Sequence, residues 1–379
     1  MLIMDYRDSA EEREFRAELR RWLAQHTPGD RPPDGPDDAI VFLDEWWRSL
    51  AKAGYVGLSF PTVYGGGGRP DSFEAILNEE AGAAGAPPLP PIAHIAQAIL
   101  RAGTEEQRRA HLPGLLSCEV RWCQGFSEPG AGSDLAGLAT VAQPSPDGYR
   151  INGRKIWTSG AVWAQWCLLL ARTDPSVEKH RGLSMFLLPM DRVGIECRPI
   201  VMATGSREFA ELYLDDVPAS DADLLGAAGQ GWEIALDLLA YERGPADMGW
   251  VGRFARAITE LDEAVRDGRL LLNDADELRV AEARMLLHML QVHVQRSFGG
   301  RSRGTGPGPE GSVDKLLMTR VDQFLHRLTL DLRGAAALLD ETFDVNTYLW
   351  SRAQSIFGGT EQVQRTIVAE RLLRLPRSR

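Results

Sequence analysis

The chain has 379 residues, 44% of them hydrophobic, enough to build two or three compact units. Its net charge of −11 excludes nucleic acid and an anionic membrane as main partners, and no apolar run reaches the ~18–20 residues of a membrane span. Cys118, Cys123, Cys167 and Cys197 lack metal-ligand spacing, the seven histidines are scattered, and the N-terminus has no signal-peptide core, so a cytoplasmic protein without a metal is expected.

Helical spacing of Phe15, Leu19, Trp22 and Leu23, and then of Leu43, Trp46, Trp47 and Leu50, predicts helices in the first part of the chain. Pro61 and the run Gly65-Gly66-Gly67-Gly68 end that block. No strand precedes the glycines, so they read as a surface loop and not as a phosphate cradle. Helical pattern resumes from Ser72 to Ala84. Between Arg121 and Leu225 the apolar runs become short and rich in strand formers, at Trp166 to Ala171, Leu183 to Leu188 and Glu211 to Leu214. Asp147-Gly148 and Asn152-Gly153 read as the turns between strands. Helical periodicity returns at Trp232, Ala235, Leu238 and Leu239, and again at Met285 to Val294, where His288 and His293 are too poorly spaced to act as a ligand pair. A loop is expected from Gly299 to Gly311. A last helix should run from Lys315 through Leu339, with Leu317, Val321, Phe324 and Leu328 on one face. The fold class is therefore α+β, in three parts: an N-terminal helical domain (1–120), a central antiparallel β domain (121–225) and a C-terminal helical domain (226–379).

Two runs in the central part carry chemistry. Gly125-Phe126-Ser127-Glu128-Pro129-Gly130-Ala131-Gly132-Ser133-Asp134 is too broken for a helix and too polar for a buried strand. It offers backbone N–H groups and the short hydroxyls of Ser127 and Ser133 on a tight turn. Asn152-Gly153-Arg154-Lys155-Ile156-Trp157-Thr158-Ser159 adds a flat indole beside two hydroxyls. A planar, electron-accepting heterocycle needs such a combination, with donors at its polar edge and an aromatic wall on its face. For Glu128-Pro129, a turn-shaping role and a ligand role are equally compatible with the sequence.

At these residues the chain resembles the acyl-CoA dehydrogenases. Thr104-Glu105-Glu106-Gln107, Gly205 through Phe209, Asp215-Asp216-Val217, Gly229-Gln230-Gly231-Trp232 and Ile356-Phe357-Gly358-Gly359-Thr360-Glu361-Gln362-Val363-Gln364-Arg365 follow in the family's order. The resemblance implies a β-barrel-like central domain, a C-terminal four-helix bundle, FAD as cofactor and an acyl-CoA thioester as substrate. It implies that the flavin edge meets Gln124, Phe126, Ser127, Trp157 and Ser159, and that Gly132 and Ser133 lie near the flavin phosphates and the CoA path. Thr360 and Gln362 match positions that contact the adenosine half of FAD, and Ser133 and Arg243 match substrate-binding positions.

The implied reaction removes a proton alpha to the thioester carbonyl and a hydride from the beta carbon to the flavin, whose electrons pass to an electron-transfer flavoprotein. Many family members keep the base immediately before the Gly-Thr of the closing signature, but here that position is Gly358. Glu361 reads as a first-turn acid favoured by the helix dipole. A second branch, similar to the isovaleryl, long-chain and actinobacterial steroid side-chain enzymes, draws the base from an earlier Glu-Arg pair, which this chain has as Glu242-Arg243 before Gly244-Pro245. The resemblance therefore assigns the base to Glu242, and to the Gly358-Gly359 backbone a share in polarising the thioester carbonyl with a flavin ribityl hydroxyl.

The Phe-Gly that the family uses to grip a neighbour's FAD is missing from Ala264 to Leu272, and Arg296-Ser297-Phe298-Gly299 lies too far along to replace it. This implies either a homo-oligomer with weakly held FAD or a heterotetramer in which a paralogous subunit supplies the grip. Two other readings remain: a non-catalytic partner subunit, and a flavin oxidase or monooxygenase on the same fold.

Overall fold

A computed structural model describes residues 7–29, 36–242, 246–300, 308–339 and 343–376. In chain order the elements are α1 (Ala10–His26), α2 (Pro36–Lys52), α3 (Asp71–Ala83), α4 (Ala93–Ala102) and α5 (Glu105–Leu116); β1 (Trp122–Gly125), β2 (Val141–Ser145), β3 (Gly148–Ser159), β4 (Trp166–Arg172), β5 (Leu183–Pro189), β6 (Ile195–Ile200), β7 (Phe209–Ala219) and β8 (Leu224–Leu225); then α6 (Gly231–Glu242), α7 (Ala246–Arg266), α8 (Asp274–Gly300), α9 (Glu310–Arg333), α10 (Ala335–Leu339), α11 (Phe343–Ala353) and α12 (Glu361–Ile367). They group into two compact units. One is made of Gly35–Gly68 and Pro90–Glu242, the other of Met1–Asp34, Arg69–Leu89 and Arg243–Arg379. The N-terminal helices are thus shared between the units.

The first unit is built on a sheet of order β6-β7-β3-β2-β4-β5-β8, with β1 also pairing β4. It is mainly antiparallel, but β4 runs parallel to both β1 and β2, because long excursions and not hairpins connect them. β4 and β5 are buried on both faces, which is why each reads as an unbroken apolar run. Leu168, Leu170, Met185 and Leu187 face a core shared with Ile95, Ile99, Leu112, Leu115 and Leu238 of the helices. Cys167, Leu169, Phe186 and Leu188 face a second core with Ile151, Leu212 and Val217. The β2–β3 turn falls at Asp147-Gly148 as expected. Asn152-Gly153 is not a turn: it lies within β3 at a bulge, where Asn152 Oδ1 accepts from Asp216 N at 2.9 Å and the Gly153 backbone packs on Thr140 too closely for a Cβ. The four-glycine run is a loop, its Gly66 and Gly67 pressed against the backbone of Phe60 and Leu58.

In the second unit α3 crosses α7 where Gly82, Gly249 and Gly252 bring the two backbones into contact. Val251, Phe254, Ile258, Val280, Leu290, Val321 and Leu328 fill the core of α7, α8 and α9. The helix expected to reach Leu339 is interrupted at Gly334, whose left-handed φ of 60° ends α9 before α10 begins. The Arg296-Ser297-Phe298-Gly299 run lies in the last turn of α8, and part of the expected loop after it lies outside the described residues.

Candidate active site

The two chemistry-bearing runs meet in the first unit. β1 ends at Gly125, where a Cβ would stand 2.9 Å from both Cys167 Sγ and Leu169 Cδ1. Phe126 is buried in the helix-facing core, while Gln124 and Ser127 are half-buried. Glu128 and Ala131 exchange two backbone hydrogen bonds of 3.0 Å, closing a turn over exposed Pro129 and Gly130. Ile156 N then donates to Ser127 O at 2.9 Å, so the residue before Trp157 is bonded directly to the turn.

A buried ion pair fixes this arrangement. Lys155 is 0% exposed, and its Nζ donates to Glu128 Oε1 at 2.8 Å and to Phe126 O at 3.1 Å. Glu128 also accepts from Ala139 N at 2.6 Å and Thr140 N at 2.9 Å. Burial pushes the Lys155 ammonium down to about 8 against the pull of Glu128. Burial alone would raise Glu128, but the charge of Lys155 and the N–H donors hold it below the usual carboxylate range. Glu128 is therefore a brace between three chain segments, which decides between the two roles its sequence allowed.

Trp157 is 56% exposed and has φ 60°. It is the extra residue of a bulge, since Lys155 to Thr158 opposes Leu212 to Ala210 with one residue fewer. A left-handed tryptophan is strained by about 1–3 kcal/mol. The bulge turns its indole outward, edge-to-face with Phe209 at 6.1 Å between ring centres. Ser159 is exposed beside it, and the buried Thr158 Oγ1 has no partner among the described residues. Gly132 and Ser133 are exposed, and open space lies where a Cβ at Gly132 would stand.

α6 is docked on the same sheet. Gly229 N donates to Ser184 Oγ at 2.9 Å, and a Cβ on Gly231 would stand 2.6 Å from the Ser184 backbone. Ala235 and Leu238 are fully buried. The Gly-Gln-Gly-Trp run is thus the seat of the helix whose last residue is Glu242. The side chain of Glu242, and Arg243 altogether, lie outside the described residues.

The closing signature lies in the second unit, running from the turn after α11 into α12. Gly358 and Gly359 have φ of 62° and 87°. Thr360 caps α12 by accepting from Val363 N at 3.3 Å, and Gln362 is exposed on the first turn. A Cβ on Gly358 would meet only Lys315 Cε and Nζ, at 3.8 and 3.9 Å, so backbone conformation and not space opposes a side chain there. Buried Lys315 donates to Gln354 O at 2.6 Å and lies 4.7 Å from the Phe357 ring centre. Gln364, 0% exposed, donates to Gly358 O and Gly359 O.

Sequence reasoning missed the roles of Lys155, Lys315 and Gln364. A signal was present: the chain has four lysines among 42 basic residues, and two of the four are buried. An ammonium on a flexible stem fits where the planar guanidinium fork does not.

A helical and sheet scaffold that presents an outward indole beside a donor-rich turn has the form of an acyl-CoA dehydrogenase-fold flavoprotein. Models of the acyl-CoA dehydrogenase N-terminal, middle and C-terminal domains match residues 9–119, 123–217 and 229–373. Acyl-CoA dehydrogenase IpdE1 of Mycolicibacterium smegmatis is 36% identical over 97% of this chain and 98% of its own length. Acyl-CoA dehydrogenase FadE34 of Mycobacterium tuberculosis is 38% identical over 87% of this chain and 46% of its own length. The Tcur3481-Tcur3483 steroid ACAD structure superposes with a TM-score of 0.87 at 28% identity, covering 99% of this chain and 100% of that one. The ChsE4-ChsE5 complex from Mycobacterium tuberculosis gives 0.85 at 28% identity, with the same coverage. The chain belongs to the acyl-CoA dehydrogenase family and is a flavin-dependent oxidoreductase of that class.

Proposed function

We propose that this chain oxidises an acyl-CoA thioester across its alpha and beta carbons, with FAD held by the outward-facing turn and bulge. The observation that carries this reading is Trp157, an exposed indole held in a strained left-handed conformation and tied through Ile156 to Ser127. The residues fit the flavin: an aromatic wall, half-exposed donors at its edge, and open space at Gly132. Gln124, Phe126, Ser127, Trp157 and Ser159 would hold the ring, Gly132 and Ser133 the phosphates, and Thr360 and Gln362 the adenosine half. When bound, FAD supplies the acceptor for the substrate's beta hydride.

Glu242 is the base. It takes the alpha proton, and α6 is fixed for that task by its seat on Ser184. Gly358 leaves the other base position without a carboxylate, and its backbone segment polarises the thioester carbonyl. Ser133 and Arg243 bind the CoA part. Likeness to the Tcur3481-Tcur3483 steroid ACAD and to the ChsE4-ChsE5 complex supports a steroid-type acyl group and a two-chain assembly. The missing Phe-Gly supports the same assembly, as does an exposed apolar stripe on α8 made of Leu278, Met285, Met289 and Val292. Electrons would leave to an electron-transfer flavoprotein in the cytoplasm; among the described residues no helix is long and apolar enough to cross a membrane.

Steady-state turnover of an acyl-CoA panel with an artificial acceptor tests the reading. Glu242→Gln should abolish turnover while flavin absorbance is retained; unchanged turnover rejects the base. Expression with and without a paralogous chain tests the assembly, and full FAD occupancy of the chain alone rejects it. The missing Phe-Gly also favours a second reading, a non-catalytic partner subunit, which predicts normal turnover of the paired complex carrying Glu242→Gln here.

A further inference from the structure

The peptide planes on either side of Ser127 are clamped. Phe126 O accepts from Lys155 Nζ at 3.1 Å, Ser127 O accepts from Ile156 N at 2.9 Å, and Glu128 N donates to Ala131 O at 3.0 Å. The Ser127 N–H alone is left over: it has no hydrogen-bond partner among the described residues. In a trans peptide, the C=O of one residue and the N–H of the next point in opposite directions. The bond from fully buried Lys155 to Phe126 O therefore turns the Ser127 N–H away from the buried ammonium.

That bond does more than aim the donor. An ammonium that donates to a peptide oxygen draws electron density from the peptide, and this polarisation makes the N–H at its other end a stronger donor. Burial lowers Lys155 only to about 8, so its charge is present at neutral pH. Glu128 accepts from the same ammonium at 2.8 Å and is itself tied to Ala139 N and Thr140 N, which keeps Lys155 in place against Phe126 O. All of these groups belong to the first unit.

We infer that Lys155 is a positioning residue that strengthens the Ser127 N–H as a donor to the polar edge of the bound flavin and so favours the reduced cofactor. This rests on the reading that FAD lies against the turn and the bulge. Reduction adds negative charge to the pyrimidine edge of a flavin ring, so a donor strengthened there stabilises the reduced form more than the oxidised one.

The test uses the FAD-loaded enzyme, with its partner chain if one is required, and compares wild type with the double variant Lys155→Met/Glu128→Gln. The double change removes both charges and leaves no buried ion unpaired. The two-electron reduction equilibrium should shift roughly tenfold towards oxidised FAD, a midpoint potential lower by about 30 mV against reference dyes. A second readout is the vibrational stretch of the two pyrimidine carbonyls of carbon-13-labelled FAD. In wild type at least one should lie below its position for a flavin in aprotic solvent, and in the double variant it should move back towards that position. A wild-type potential and stretch in the folded, loaded variant overturn the role of Lys155 alone. A folded variant that no longer takes up FAD overturns it too, because the pair then holds the cradle together and does not tune it. Absence of any lowered stretch in wild type instead overturns the reading that the turn meets the flavin edge. Should the double variant fail to fold, Lys155→Gln replaces the ammonium by a neutral amide with Glu128 retained, and a wild-type potential there overturns the inference equally.

Discussion

Trp157 and the Lys155–Glu128 pair show how single side chains shape the turn and bulge that we propose hold the flavin. Trp157→Gly should leave the flavin-free protein as stable as wild type or up to about 1–2 kcal/mol more stable, since glycine accepts the left-handed conformation. The same change should weaken FAD binding. Urea denaturation and FAD titration by fluorescence measure the two effects, and a large loss of stability would mean that the indole is structural. Glu128→Gln strands a buried ammonium and should cost about 3–5 kcal/mol, read from the same denaturation. The sign with pH follows from the folded carboxylate lying below its ordinary range. Its contribution is full above the unfolded carboxylate pKa and is lost as pH falls through the folded one, so the gap between wild type and Glu128→Gln should close with acid. Lys155 acts at the other end. Its folded value of about 8 lies below the ordinary 10.5, so between these values the unfolded chain binds more protons and stability should rise with pH relative to Lys155→Met. A flat difference across that window would contradict the assignment.

At the scale of elements, the docking of α6 fixes the helix that ends at Glu242, the proposed base. Gly231→Ala forces a Cβ against the Ser184 backbone at 2.6 Å and should destabilise by about 1–3 kcal/mol. Because the helix must shift to accept it, kcat should fall even in protein that remains folded; unchanged kcat would show that the base tolerates movement of its helix. The helices and buried strands were legible because their periodicities are strong. Phe15, Leu19 and Leu23 bury one face of α1, and the apolar runs of β4 and β5 reflect burial on two faces. Asn152-Gly153 misled because a bulge and a hairpin turn ask for the same residues: both need a backbone without Cβ crowding. The break at Gly334 was hidden within continuous helical spacing, which registers side chains and not a reversal of φ.

For the molecule as a whole, each compact unit is assembled from separated stretches of sequence, so contiguous boundaries describe the order of elements better than their packing. The exposed stripe Leu278, Met285, Met289 and Val292 bears on the proposed assembly with a paralogous partner chain. Met285→Glu with Met289→Glu should leave the helical fold intact, because both side chains are exposed, while abolishing association with the partner chain. Light scattering with circular dichroism reads both, and retained association would move the interface elsewhere. FAD at about 100 times its dissociation constant should stabilise the assembled enzyme by ~2.7 kcal/mol, visible as a higher melting temperature than that of flavin-stripped protein.

The sequence by itself determined the family, the order of helices and strands, and the identity of the turn, the indole and the Glu-Arg pair, because these depend on local residue chemistry and linear spacing. Only the tertiary structure decided what Glu128, Lys155, Lys315 and Gln364 do. Each is a polar side chain whose role depends on a partner elsewhere in the fold, such as Glu128 for Lys155 or Gln354 for Lys315. A buried hydrogen bond is specified by distance and direction in space, and neither follows from residue type.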